Sequence, residues 1–200
     1  MNEITPQRSR PRTTQAAEGV PRWRWTTAEL LRLKDLGAFD GDDHRFELIG
    51  GEIVPMSPNG RRHEVIREDL EQLLRALTPL DIRIIGEPQL NLADDTYTKP
   101  DLLVRPAGIR TPDVRGDTAL LVIEVADTRL TYDLTTKAAL YALHGVREYW
   151  VINARQLVTK VHRQPSSEGY GDVREVPATA TLVPLLAPAL AVRLGDLDLE

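Results

Sequence analysis

Cysteine is absent from this chain of 200 residues. That excludes a disulfide framework, a thiolate metal centre and a cysteine nucleophile, and no oxidising compartment is required. No apolar run approaches the roughly 20 residues that cross a bilayer, and Arg8, Arg10 and Arg12 are followed by no hydrophobic signal core. The expectation is a cytoplasmic protein without a membrane segment. Internal repeats and low-complexity blocks are also missing. A net charge of -5 argues against indiscriminate binding to nucleic acid, which needs Lys and Arg to neutralise phosphates.

What remains is a chain with 42% hydrophobic and 28% charged residues, enough for one sizeable core and too little for two. Residues 1–22 are rich in Arg, Pro, Thr and Gln without apolar periodicity and read as a disordered basic tail. Residues 23–200 read as a single domain. Order begins at "WTTAEL", where Thr26 caps a short helix, Glu29 completes a capping box and Gly37 ends it. "RFELIGGEIVPM" predicts a hairpin turning at Gly50-Gly51. Ser57 or Asn59 then caps a helix carrying Ile66, Leu70, Leu73, Leu74 and Leu77 at helical spacing.

Strands are expected at 82–85, 88–92, 101–104 and 119–125, with a helix over 131–144 that Gly145 terminates. "REYWVIN" and "LVTKVHR" form a strand pair, with Tyr149 and Trp150 as core, and residues 176–199 add edge strands or turns. His44, His144 and His162 show no partner spacing. The order of elements predicts an α/β or α+β fold with a central mixed β-sheet flanked by helices.

Two of these strands carry an acid at an apolar border: Asp101 opens "DLLV" and Glu124 interrupts "LLVIEVA". A carboxylate beside a core is costly unless charge or hydrogen bonds offset it. If the two strands are neighbours, Asp101 and Glu124 converge, and with a carbonyl such as that of Val125 and waters they suit Mg²⁺ or Mn²⁺. In "YDLTTKAALY", Asp133, Lys137 and Tyr141 follow at i, i+4 and i+8, one helix face. Lys137 on that face would stabilise charge on a phosphoryl group. Taken singly, Asp133 and Lys137 read as a helix ion pair and a strand-end Asp as an edge device.

Pro100-Asp101 and the block "VIEVADTRLTYDLTTKAALYALHGVREYWVI" resemble the PD-(D/E)XK nuclease superfamily, in its Uma-type branch of restriction endonuclease-like domains. "RFELIGGEIVPMSP" and His63 resemble that branch's N-terminal features, and the likeness covers roughly residues 25–195. The resemblance implies a restriction endonuclease-like core, DNA as substrate, and Asp101 and Glu124 as metal-binding acids. In the superfamily's common pattern the lysine stands two positions after the second acid, where this chain has Ala126. The Uma-type branch takes its lysine from the following helix, which maps onto Lys137. Ala126 also replaces a serine frequent among relatives.

Auxiliary candidates are Glu47 or Glu52 beside the hairpin turn, His63 at a helix start, Asp133, and Tyr141 as a packing or hydrogen-bonding phenol. The leading reading is a Mg²⁺- or Mn²⁺-dependent endodeoxyribonuclease with Asp101, Glu124 and Lys137 as its catalytic set. A binding module that keeps the nuclease fold without catalysis and a phosphoesterase acting on RNA are the alternatives. Nucleases of this type often cut both strands as homodimers, and no segment here declares itself as an interface.

Overall fold

The computed structural model describes residues 23–39, 45–56 and 58–199, so the basic tail, His44 and Ser57 lie outside the described residues. Helix α1 (Thr27–Asp35) begins with the expected capping box. Thr26 Oγ1 accepts the N–H of Glu29, and Glu29 Oε2 accepts that of Thr26. Gly37, at φ 77°, ends it. The hairpin β1 (Phe46–Ile49) and β2 (Glu52–Pro55) turns through Gly50 and Gly51 at φ 56° and 78°, the left-handed pair that a two-residue turn matched to strand twist requires.

Helix α2 (Arg61–Ala76) starts at Gly60, with no side-chain cap. The expected Asn59 cap is corrected: its amide instead donates to Glu64 Oε1 at 2.7 Å. Five strands follow: β3 (Ile82–Gly86), β4 (Leu90–Ala93), β5 (Thr96–Thr98), β6 (Leu102–Pro106) and β7 (Leu121–Ala126). The strand expected at 88–92 is therefore shifted to Leu90, and β5 was not anticipated. Helix α3 runs through α-helical Leu130–Tyr132, π-helical Asp133–Lys137 and α-helical Ala138–Leu143. Then come β8 (Glu148–Asn153), β9 (Val158–Ser166) and β10 (Gly169–Val176). The tail of the chain contributes 3-10 turns and one bridge, Leu182 to Val192.

The strands form two sheets. A six-stranded sheet in the order β10-β9-β8-β7-β6-β3 is antiparallel except for the β7–β8 pair, whose parallel crossover is α3. A four-stranded sheet, β2-β1-β5-β4, stands beside it. The fold is thus α+β with a mixed central sheet, as expected, plus a second small sheet.

Alternation along β6 and β7 sorts their side chains. Leu102, Val104, Leu121 and Ile123 join Ile66, Leu70 and Leu74 of α2, while Leu103 and Val122 join Ala138 and Tyr141 of α3. The same period of two sends Glu124 to the α3 side. Leu102 pairs with Ile123, so Asp101 lies one antiparallel step beyond, opposite Glu124. Among the described residues no helix is long and apolar enough to cross a membrane.

Candidate active site

The start of β6, the end of β7, the first turn of α2, β1 and the π-helical stretch of α3 meet around one cleft. Its lining includes Glu47, His63, Asp101, Glu124, Asp133 and Lys137. Asp101 is held from two sides. Its Oδ2 accepts the Val125 N–H at 2.7 Å and lies 3.0 Å from His63 Nε2. Glu124 Oε1 takes Lys137 Nζ at 2.8 Å and the Tyr141 phenol at 3.0 Å. Glu47 Oε1 takes the same Nζ at 3.0 Å and the backbone N–H of Lys99 at 2.9 Å.

The Tyr141 oxygen is also 3.1 Å from Thr98 Oγ1. A phenol has one proton and an ionised carboxylate none, so the phenol donates to Glu124 and Thr98 donates to the phenol.

Every member of this group is buried. Burial pushes Glu124 well above the ordinary carboxylate range; Lys137 pulls it down, and Asp101, Asp133 and Glu47 push it further up. Burial likewise raises Asp133 to about 6 against the pull of Lys137. For Lys137 burial acts downward, yet Glu124, Glu47 and Asp133 together hold its pKa above the usual lysine value. His63 is also raised: burial lowers it, and Asp101 and Glu64 more than compensate.

Of the eight residues singled out in the sequence, Glu47, His63, Asp101, Glu124, Asp133, Lys137 and Tyr141 converge here and Glu52 does not. Lys137 reaches Glu124 and feels Asp133 only at longer range: among the described residues the helix ion pair of the local reading is not formed, because the lysine turns to Glu124 and Glu47 instead. Asp133 and Lys137 bound a π-helical stretch, so the regular α-helical spacing expected there is corrected as well. His63 and Glu47 are buried rather than exposed, whereas Glu52 is exposed on β2 and absent from the lining. Thr98, Asp127 and Arg129 were missed. Thr98 sits in the unanticipated three-residue β5, and the other two follow the acid strand without any distinctive spacing.

The donor set fits a hard divalent cation. Four buried carboxylates face Lys137 and His63, and a divalent cation would offset the remaining negative charge. Asp101 and Glu124 each commit one oxygen to hydrogen bonds, and the other oxygen of each has no partner among the described residues. Among the described residues no three His, Cys, Asp or Glu side chains form a ready-made metal cage. Mg²⁺ does not need one, since it keeps several waters and uses one or two carboxylates.

The raised pKa of Asp133 has a measurable consequence. A carboxyl that binds its proton more tightly folded than unfolded adds stability below about pH 4, and that gain is lost as pH rises through about 6. Asp133→Asn is therefore expected to stabilise the cation-free protein at pH 7.5 by about 1–3 kcal/mol and to leave it unchanged at pH 3.5. Thermal melts in EDTA at both pH values read this; equal gains at both would mean the carboxylate carries no burial cost.

Fold and site together describe a restriction endonuclease-like α+β protein with a two-acid, one-lysine centre. Residues 27–197 match the family model Uma2, described as "Putative restriction endonuclease". The chain belongs to the Uma2 family. It is also similar to a crystal structure from Anabaena variabilis ATCC 29413, described as a "putative nuclease belonging to DUF820". The TM-score is 0.68 at 18% identity, covering 86% of this chain and 97% of that one. No curated protein matches the chain.

Proposed function

We propose that this protein is a Mg²⁺- or Mn²⁺-dependent endonuclease that hydrolyses DNA phosphodiester bonds. The observation that carries the reading is Lys137 Nζ, 2.8 Å from Glu124 Oε1, in the cleft that Asp101 also lines. DNA is favoured over RNA by the family's description as restriction endonucleases.

Asp101 Oδ1, Glu124 Oε2 and the Val125 carbonyl would hold the cation. When bound, the cation supplies charge neutralisation at the scissile phosphate and a water of lowered pKa. His63 and the Val125 N–H fix the rotamer of Asp101, as Tyr141 and Lys137 fix that of Glu124. Lys137 presents an ammonium kept charged by its carboxylate neighbours, placed to orient the attacking water and to stabilise charge on the phosphoryl oxygens. Glu47 anchors that ammonium from the second sheet. Ala126, where the common superfamily pattern has lysine, leaves this task to Lys137.

Calorimetry with Mn²⁺ and incubation with supercoiled plasmid test the proposal. The expected result is Mn²⁺ uptake and nicked or linear product from the wild type, and neither from Asp101→Asn. A wild-type protein that takes up no Mn²⁺ and leaves plasmid intact would instead be a binding module on a nuclease fold. Faster cleavage of an RNA oligonucleotide than of its DNA counterpart would reassign the substrate.

A further inference from the structure

The cleft repels the substrate that the proposed function gives it. Glu47, Asp101, Glu124, Asp127 and Asp133 line it against Lys137, Arg129 and His63, so acids outnumber bases and a nucleic-acid backbone needs favourable charge close by. Such charge lies along one side of the mouth, on three segments that lock together. Arg62, in the first turn of α2, donates from Nε to the Ala154 carbonyl at 2.6 Å, at the β8–β9 turn. Arg155 of that turn donates from Nε to Asp127 Oδ1 at 2.9 Å, just past the acid strand. A Cβ at Gly60 would stand 3.1 Å from Asp127 Oδ2, so that loop abuts the start of α2.

Two residues on, Arg129 donates to the Pro55 carbonyl at 3.2 Å, with its guanidinium 5.8 Å from the Tyr132 ring centroid. Across residues 60–62, 127–129 and 154–155, four arginines (61, 62, 129 and 155) stand against one acid, Asp127. The Arg155 side chain is 70% exposed. Arg61 is exposed and has no hydrogen-bond or ion-pair partner among the described residues. Their outward N–H groups remain unused, in a chain whose net charge is -5.

We infer that this arginine rim is the nucleic-acid-facing surface of the protein, binding backbone phosphates that flank the one lying over Asp101 and Glu124. The inference rests on the nuclease reading for its substrate class, and it adds which residues grip the strand and from which side. Arg62 and Arg129, tied to backbone carbonyls, set the rim's shape. Arg61, without a partner among the described residues, and Arg155, whose Nε alone is taken by Asp127, have N–H groups left to reach phosphate oxygens.

The test is fluorescence anisotropy of a labelled DNA duplex with the full chain in EDTA, where binding is read without cleavage. Arg61→Ala with Arg155→Ala is expected to weaken binding about tenfold or more and to flatten the dependence of log K on log salt by about 2, one unit for each phosphate that is no longer neutralised. Arg155→Lys, which keeps the charge, should bind like wild type and so separates lost charge from lost folding. Arg110→Ala, at the opposite end of β6 and β7, should change nothing.

Undiminished binding by the double variant overturns the rim. So does equal weakening by Arg110→Ala, or a wild-type protein that does not bind duplex. The nuclease reading is judged separately, by Mn²⁺-dependent cleavage. Cleavage by the wild type with normal binding by the double variant removes only the rim. Rim-dependent binding without cleavage by the wild type removes only the nuclease.

Discussion

Lys137→Met is expected to lower the melting temperature of the cation-free protein by about 6–20 °C. Methionine fills much of the same space, so packing is not the cause. The lysine is buried with Nζ 2.8 Å from Glu124 and 3.0 Å from Glu47, and its removal strands two buried carboxylates. Breaking a buried ion pair from one side costs about 3–5 kcal/mol, and in a chain of this size each kcal/mol shifts the midpoint by about 2–4 °C. Adding Glu47→Gln to Lys137→Met should return part of the loss, because it removes one of the stranded charges. The two substitutions are then non-additive. Calorimetric melts of both single variants and the double variant measure this. Strict additivity, or a shift of less than about 2 °C for Lys137→Met, would mean that the charges are solvated and the site is not the dry centre described.

Glu124→Gln should behave in the opposite way. The amide keeps an oxygen for Lys137 and Tyr141, and it removes a carboxyl whose burial raises its pKa well above the ordinary range, so stability is expected to hold or rise. If the proposed function holds, cleavage falls by about 10²–10⁴-fold, since several kcal/mol of transition-state charge stabilisation would depend on the cation and each 1.36 kcal/mol is tenfold. Mn²⁺ affinity measured by calorimetry should fall with it. Wild-type cleavage by a folded Glu124→Gln protein would put the chemistry elsewhere. The pair of variants separates stability from the proposed activity at two atoms in hydrogen-bond contact: the lysine holds the site together, and the acid costs stability in the cation-free protein.

Asp101 and Glu124 were legible because a charge that interrupts an apolar strand needs a reason, and strand alternation with antiparallel pairing brought them opposite one another. Lys137 was legible from its helix and from the family block, although not through the ion pair its spacing suggests. Glu47 was harder to read. Alternation puts it on the face of β1 away from Leu48, which usually means solvent, but that face packs against the cleft and the residue is buried. Asn59 has the right chemistry for the cap of α2, yet the helix boundary falls one residue later, at Gly60, and the Asn59 amide donates to Glu64 instead. Strand β5 has three residues, too few to show a period, and its partners β1 and β4 are settled only by tertiary pairing. The π-helical turn depends on i→i+5 bonding around the pocket, for which "DLTTK" carries no local signature.

The contact between Glu47 and Lys137 ties the hairpin to the crossover helix, and so rivets the smaller sheet to the larger one. Water serves that ammonium well in an open chain, and only carboxylates drawn from both sheets offset the loss of water once it is enclosed. The proposed centre is thereby complete only when hairpin and crossover helix have packed together, and a half-assembled chain would lack it.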